Sequence, residues 1–194
     1  MSVSGPEPVG TWTDAEVVAA SVRRPEAFAA LYDRHAATLY RYLDRRVPSL
    51  DAEDLVSEVF ATAFRLRGRY DPARPDALPW LYGIATNLLH RHRRSERAHY
   101  RLLARTGVDP LEPDHAEQVA LRVTAGTQAR AVAAALAGLT AKERDVLLLV
   151  AWAGLDHEGV STALGIPPGT VRSRLNRART RLRAALGDAE GAIR

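Results

Sequence analysis

Residues 165–186 read GIPPGTVRSRLNRARTRLRAAL, and this stretch decides how the rest of the chain is interpreted. Arginine recurs at about every second position between residues 172 and 183, with no acidic residue among them. At about 100° per residue, one narrow helical face collects the apolar residues Val171, Leu175, Ala178, Leu182 and Leu186. The opposite face collects the polar residues Arg172, Ser173, Asn176, Arg177, Thr180 and Arg183. The pattern predicts an amphipathic helix whose exposed face is strongly basic.

A shorter helix is predicted just before the basic one. Its apolar residues at helical spacing are Leu155, Val160 and Leu164. Gly165 ends it, and a short turn with two prolines leads to Thr170, where the first amides of the next helix can bind an anion. Helix, short turn and helix form a helix-turn-helix, whose second helix reads base edges in the major groove of DNA. A solvated surface helix is the alternative, but an ordinary charged surface mixes both signs.

The rest of the chain also shows helical periodicity, and no alternating strand pattern occurs. Phe28, Leu31, Leu39 and Tyr42 recur at helical intervals, and Thr13 with Glu16 has the spacing of a helix capping box. In residues 51–67 a buried stripe is predicted from Leu55, Val56, Val59, Phe60, Ala63 and Phe64. Residues 70–79 hold three prolines and are predicted to be a loop. The predicted fold is all-α, with two small helical domains joined by a flexible linker.

The predicted organisation has five parts. They are residues 1–24 as a tail with a short helix, 25–104 as the first domain, 105–126 as the linker, 127–187 as the second domain and 188–194 as a C-terminal tail. The linker is predicted because this stretch contains prolines and acids with weak periodicity.

Composition excludes several classes of protein. The 194 residues carry a formal net charge of +4 and no cysteine, so a disulfide framework, a thiolate zinc site and a cysteine nucleophile are all excluded. The start of the chain has no secretory signal pattern, and the longest apolar run, residues 146–155, is too short to span a bilayer. We therefore expect a cytoplasmic protein with no membrane insertion. His90, His92 and His99 do not predict a metal site, because neighbouring arginines repel a cation, and we expect no cofactor.

Four segments together resemble a known family. They are FAALYDRHAATLYRYL at 28–43, DAEDLVSEVFATAF at 51–64, WLYGIATNLLHRHRR at 80–94 and GIPPGTVRSRLNRARTRLR at 165–183. The last resembles the closing helix of region 4 of extracytoplasmic-function (ECF) RNA polymerase sigma factors of the sigma-70 family, and the other three resemble region 2. The resemblance implies a protein that binds core RNA polymerase and directs promoter-specific transcription initiation. It implies no enzymatic activity of its own, and it brings in an anti-sigma factor as a candidate partner.

The resemblance also assigns roles to residues. For recognition of the −35 element in duplex DNA it implies Thr170, Arg172, Ser173, Asn176 and Arg177. For the −10 element, where a melted nontemplate strand is held, the implied residues are Arg69, Tyr70, Arg74, Asn87, His90, Arg91 and Arg94. For polymerase docking they are Asp51, Asp54, Leu55 and Glu58. Aromatic stacking and cationic backbone contacts suit a single strand, and a carboxylate cluster suits a basic partner. The acids could also do no more than favour a helix N-terminus.

The chain departs from the family pattern at four positions. Ser57 stands where glutamine is frequent, Arg91 where aspartate is common, and Gly159 and Ser161 where glutamate and alanine are usual. These departures leave the strength of docking and the preferred −10 sequence open.

The nearest alternative is a helix-turn-helix transcription regulator that acts without polymerase. It accounts for the second domain but leaves the region 2 motifs without a role. An enzyme is the more distant alternative, because no strand with a glycine-rich phosphate loop occurs.

Overall fold

The computed structural model describes residues 12–47, 49–105, 132 and 134–191, with side chains except at 49–50, 93–105 and 188–191. Within these ranges the regular secondary structure is entirely helical, which confirms the predicted all-α fold. The predicted linker, apart from Arg105, and the predicted N-terminal tail up to residue 11 lie outside the described residues.

Seven helices have their bounds within the described residues and form two groups; residues 132 and 134–137 are helical as well. The first group is α1 (Asp14–Ser21), α2 (Ala29–Asp44), α3 (Ser49–Leu66) and α4 (Leu78–Arg105), with 3₁₀ turns at Pro25–Phe28 and Arg67–Arg69. The second group is α5 (Ala141–Ala151), α6 (His157–Leu164) and α7 (Pro168–Gly191). Helices α6 and α7 are the predicted helix-turn-helix.

Side chains and one glycine explain where several helices begin and end. The predicted capping box of Thr13 and Glu16 is present at the start of α1. A second one, formed by Thr140 and Glu143, opens α5 and was not predicted, although its spacing is the same. Gly165 ends α6 in the left-handed conformation with φ of 60°, which confirms the predicted stop and lets the chain turn into α7.

The core is built from the predicted apolar faces. In α3 the buried side chains include Leu55, Val56, Val59 and Ala63, which pack with α2 and α4. In α7, Val171, Leu175 and Ala178 are buried against α5 and α6. Because these faces point inward, the basic face of α7 is left toward solvent.

The two groups of helices pack against each other through α4 and α6. Where they meet, a Cβ added to Gly83 would overlap the carbonyl oxygen of Ala163, at a separation shorter than real Cβ atoms show. Real side chains do not tolerate this distance, so glycine at position 83 is what allows the two helix backbones to approach so closely.

A buried carboxylate lies at the same contact. Asp145 of α5 accepts a hydrogen bond of 2.7 Å from the Arg46 guanidinium, and its second oxygen lies 2.7 Å from His90 Nε2 in α4. Arg46 also donates to the Tyr42 hydroxyl at 2.6 Å. Burial raises the pKa of Asp145, but the hydrogen bond from His90 and the charge of Arg46 outweigh it, so the pKa lies below its ordinary value. Asp145 therefore joins the two groups of helices as an anion.

Helix α1 is held to α2 through another carboxylate. Asp14 accepts hydrogen bonds from Arg34 Nη1 at 2.9 Å and from the Ala77 amide at 3.0 Å, and His35 Nε2 lies 2.7 Å from its Oδ2. Burial raises the pKa of Asp14, but the hydrogen bonds from His35, Ala77 and Arg34 outweigh it and lower the pKa to about 2. His35 of α2 is thus one of the partners of this carboxylate.

The Gly83 contact predicts that Gly83→Ala separates the two groups of helices, because the added methyl group cannot fit against Ala163. The chain has no cysteine, so Ala61→Cys and Ala184→Cys, at exposed positions in the two groups, allow a pair of dyes to be attached at chosen sites. Förster transfer between the dyes should fall in the Gly83→Ala protein. Gly187→Ala is the matched control, since no atom lies within 4 Å of its added Cβ. Unchanged transfer in the Gly83→Ala protein would contradict the close packing.

The Asp14 network predicts a defined pH dependence of stability. Its folded pKa of about 2 lies below the ordinary value of 3.8, so Asp14 stabilises the fold fully above the ordinary pKa and loses this effect as the pH falls toward 2. The difference in unfolding free energy between wild type and Asp14→Asn should be constant above about pH 5 and shrink below it. Urea unfolding of both proteins across this range measures it. A difference that is independent of pH would rule out the ion-paired carboxylate.

Candidate nucleic-acid interface

The basic face of α7 is the first part of the candidate interface. The side chains of Arg172, Ser173, Asn176 and Arg177 are all exposed, and Thr170 is half-buried in the first turn. With the apolar face packed on α5 and α6, these residues project from the beginning of α7. This is the part of the second helix that enters the major groove in a helix-turn-helix.

Helices α6 and α7 form a shallow concave surface beside these residues. It is lined by His157, Gly169, Arg172, Ser173, Leu175, Asn176 and Arg179. His157 and Arg179 were not predicted as part of the site. Arg179 lies three residues after Asn176, so helical spacing could have identified it, whereas the position of His157 follows from the packing of α6 on α7.

Arg177, one of the predicted −35 residues, has an acidic neighbour in α5. Its Nε lies 3.6 Å from Glu143 in α5, and Arg181 Nη1 lies 2.7 Å from the same carboxylate. A hydrogen bond from the Thr140 hydroxyl lowers the pKa of Glu143 against the effect of burial, and the charges of Arg181 and Arg177 add to this. Glu143 therefore holds one edge of the basic face in place, while more than half of the Arg177 side chain stays exposed.

The predicted −10 residues lie in two places, and the first is the connection between α3 and α4. Arg69 and Arg74 are exposed, and Tyr70 is half-buried with its ring 5.0 Å from that of Trp80. The Tyr70 hydroxyl donates to the Arg74 carbonyl at 2.7 Å, which closes the loop on itself. Burial, with the nearby charges of Asp14 and Asp76, raises the pKa of Tyr70 to about 12, so the ring stays neutral.

The second place is α4. Asn87 and Arg91 are exposed there, and His90 beside them is bonded to Asp145 at 2.7 Å. Arg94 lies within α4, but its side chain is outside the described part of the chain.

Two of the predicted −10 residues are thus engaged with the second group of helices in this arrangement. His90 contacts Asp145 of α5, and the Arg74 guanidinium donates to the Thr162 hydroxyl of α6. The structure does not bring the six residues with described side chains together as one open surface.

The predicted polymerase-docking residues lie in the first half of α3. Asp54 and Glu58 are exposed one turn apart, and Asp51 is half-buried with its carboxylate 3.6 Å from His92 Nε2. Leu55 is buried in the core, so its side chain lies away from the surface that Asp54 and Glu58 form.

The described residues offer one group that could in principle hold a metal ion, formed by Asp14, His35 and Asp76. The oxygens of Asp14 are already bonded to Arg34, His35 and the Ala77 amide, and an arginine 2.9 Å away repels a cation. His90 and His92 contact two different carboxylates, which separates them as ligands. Among the described helices, none has the length and apolar character that a bilayer span requires.

Family comparisons agree with this layout. Residues 31–99 match sigma-70 region 2 and residues 129–182 match sigma-70 region 4. The first match covers most of α2, all of α3 and most of α4, and the second covers α5, α6 and α7 up to residue 182.

Similar proteins and structures carry the same description. The ECF RNA polymerase sigma factor SigL of Mycobacterium tuberculosis is 35% identical over 89% of this chain and 96% of its own length. The ECF RNA polymerase sigma factor SigK of Mycolicibacterium vanbaalenii is 32% identical over 90% of this chain and 89% of its own length. The structure of CnrH in complex with the cytosolic domain of CnrY matches with a TM-score of 0.63 and 26% identity, covering 90% of this chain and 97% of the matched chain. The sigma factor RpoE of Bartonella quintana, solved with the anti-sigma factor NepR, shares the fold with a TM-score of 0.60 at 20% identity over 82% of this chain and 96% of the matched chain.

Three findings lead to the same conclusion. They are the helix-turn-helix geometry, the order of the two matched regions, and the 35% identity to SigL over 96% of the length of SigL. The chain belongs to the sigma-70 family, in its ECF group of RNA polymerase sigma factors.

Proposed function

We propose that this chain binds core RNA polymerase and directs it to promoters, with α7 reading the −35 element and the first domain holding the melted −10 strand. The observation that carries the proposal is that exposed acids lie on α3, in the first matched region, and exposed arginines lie on α7, in the second. The basic face of α7 suits the phosphate backbone and base edges of duplex DNA, while the exposed acids of α3 suit a basic protein surface. The chain then supplies recognition, and the polymerase supplies the chemistry, so the chain is not itself an enzyme.

For the −35 element, the proposed readers are the exposed residues at the start of α7. Arginine can bond guanine through two donors, and asparagine can bond adenine in the same way, so Arg172, Asn176 and Arg177 have suitable chemistry. Thr170 and Ser173 add hydroxyl groups that suit phosphate contacts.

For the −10 element, the proposed binding groups are an aromatic ring and several cations. Tyr70 offers a stacking surface, and Arg69, Arg74 and Arg91 offer contacts to the strand backbone. Asn87 and His90 on α4 add hydrogen-bonding groups that could read an unpaired base. Arg94 follows on the same helix as a further backbone contact.

Two further parts of the proposal concern partners and location. CnrH was solved with the cytosolic domain of CnrY, which supports a protein partner for this similar chain, and we propose that the partner is an anti-sigma factor. Because core polymerase and promoter DNA are cytoplasmic in bacteria, the proposed function places the chain in the cytoplasm. The proposed units are residues 25–104 and 127–187, joined by residues 105–126.

Run-off transcription tests the proposal directly. Purified core polymerase is given a library of genomic fragments with and without this chain, and the new transcripts are mapped. Discrete starts that share two spaced upstream elements are expected. If the chain binds duplex DNA alone but neither binds core polymerase nor starts transcripts, it acts as a helix-turn-helix regulator and the proposal fails.

Arg177→Ala is expected to weaken binding to the −35 element by about 1–3 kcal/mol, because one charged base or phosphate contact is lost. Competition gel shifts with the polymerase complex on a selected promoter measure the effect. Arg183→Ala is the matched control, since it removes the same charge from an exposed position further along the same helix. Equal losses in both variants would indicate a general charge effect and would contradict a specific −35 contact.

Charge reversal of Asp54 and Glu58 to lysine is expected to reduce co-purification with core polymerase, because the acidic surface of α3 would become basic. The double variant Glu26→Lys and Asp33→Lys changes the net charge equally at other exposed positions of the first domain. Circular dichroism of both variants tests whether they keep the helical fold. Normal co-purification of the α3 variant would remove α3 as the docking surface.

A further inference from the structure

Helix α1 precedes the first matched region, and the proposed function gives it no role. Its two ends nevertheless contact the two ends of the connection between α3 and α4. This connection, residues 67–77, contains the Arg69, Tyr70 and Arg74 side chains proposed to hold the melted −10 strand.

At the end of the connection, the first turn of α1 holds the backbone. The amides of Asp14 and Ala15 both donate to the Pro75 carbonyl, at 3.1 and 3.4 Å. The Asp14 side chain accepts from the Ala77 amide at 3.0 Å, one residue before α4 begins. A single residue thus binds two loop positions, through its amide and its carboxylate.

At the beginning of the connection, the last turn of α1 holds the 3₁₀ turn. Arg67 Nε donates to the Ser21 carbonyl at 3.2 Å. Because Asp14 and Ser21 are the two ends of α1, the helix spans the connection and fixes the separation of its ends.

Asp14 is itself held by the core of the first domain. Arg34 and His35 of α2 contact its two oxygens at 2.9 and 2.7 Å, and the residue is only 7% exposed. A buried carboxylate with three partners has little freedom to move. Because Asp14 is bonded both to α2 and to the loop, it fixes the position of the loop relative to α2.

We propose that Asp14 is a positioning residue for the −10 strand, in that it sets the loop carrying Arg69, Tyr70 and Arg74 before the strand arrives. The inference rests on the proposed function, since that function assigns the strand to this loop. A loop that is already ordered gives up less conformational entropy on binding, so preorganisation raises affinity without adding any contact to the ligand. Asp14 does not touch the strand, and its effect passes through Pro75 and Ala77.

The test uses the complex of core polymerase with the full chain, on a promoter that the wild-type protein selects in run-off transcription. Binding of a fluorescent single-stranded oligonucleotide with the nontemplate −10 sequence is measured by anisotropy. Asp14→Ala should reduce this affinity roughly tenfold, the scale expected when one or two ordered groups are released. Asp14→Asn keeps an acceptor for the Ala77 amide and should lose less.

The matched control is Glu16→Ala. Glu16 lies on the same helix and closes the capping box with Thr13, so its removal weakens α1 without removing a contact to the loop. Thermal unfolding of every variant records how much stability each substitution costs. Affinity for a −35 duplex and co-purification with core polymerase should stay at the wild-type level in all variants.

The expected result is a loss of −10 strand affinity that follows Asp14 and not Glu16. Equal losses for Asp14→Ala and Glu16→Ala would reduce the role of Asp14 to helix stability and overturn the inference. Wild-type strand affinity in Asp14→Ala would overturn it as well. If the wild-type complex starts no transcripts or fails to bind the −10 strand, the proposed function fails first, and this is visible before any variant is compared.

Discussion

The carboxylate of Asp145 lies where the two groups of helices meet, and the arrangement of the rest of the chain depends on it. It is 3% exposed and is shared by Arg46, itself 2% exposed, and by His90. Removing charges from water is costly, and a buried pair recovers this cost only when the geometry satisfies both partners. Such a contact tolerates little displacement, so it selects one relative position of α4 and α5 among the many that apolar packing alone would permit. Gly83 makes the same selection sterically, because only a residue without a side chain fits against Ala163.

In the second domain, a buried carboxylate also holds arginine side chains in place. A helix with arginine at every second position repels itself, and Glu143 offsets part of this at the edge formed by Arg177 and Arg181. Among the described residues, no acidic side chain lies within ion-pairing distance of Arg172, the arginine at the start of the exposed face. One edge of α7 is therefore fixed by an internal carboxylate, and the other is directed to solvent and to any anion that approaches.

Much of this structure could be predicted from sequence because it depends on local periodicity. The buried and exposed faces of α7, the stop at Gly165 and the cap at Thr13 all follow from spacing within one or two turns. The contacts that could not be predicted join distant positions. Arg46 and Asp145 are 99 residues apart, and nothing in either segment identifies the other. His90 was predicted from a motif as a DNA contact, but the motif carries no information on what the second domain places beside it. Leu55 was predicted both as part of the buried stripe and as a docking residue. Its side chain is buried, as the stripe predicted.

The contacts of Arg74 and His90 with the second domain have a thermodynamic consequence. While Arg74 donates to Thr162 and His90 contacts Asp145, the same atoms cannot also bind a nucleic acid. If these two residues bind a strand, the contact between the two domains and the binding of the strand compete, so that each weakens the other. The apparent affinity for the strand then equals the intrinsic affinity multiplied by the fraction of molecules that are open. Any partner that favours the separated domains would raise that fraction, and by reciprocity a bound strand would raise the affinity of the chain for that partner.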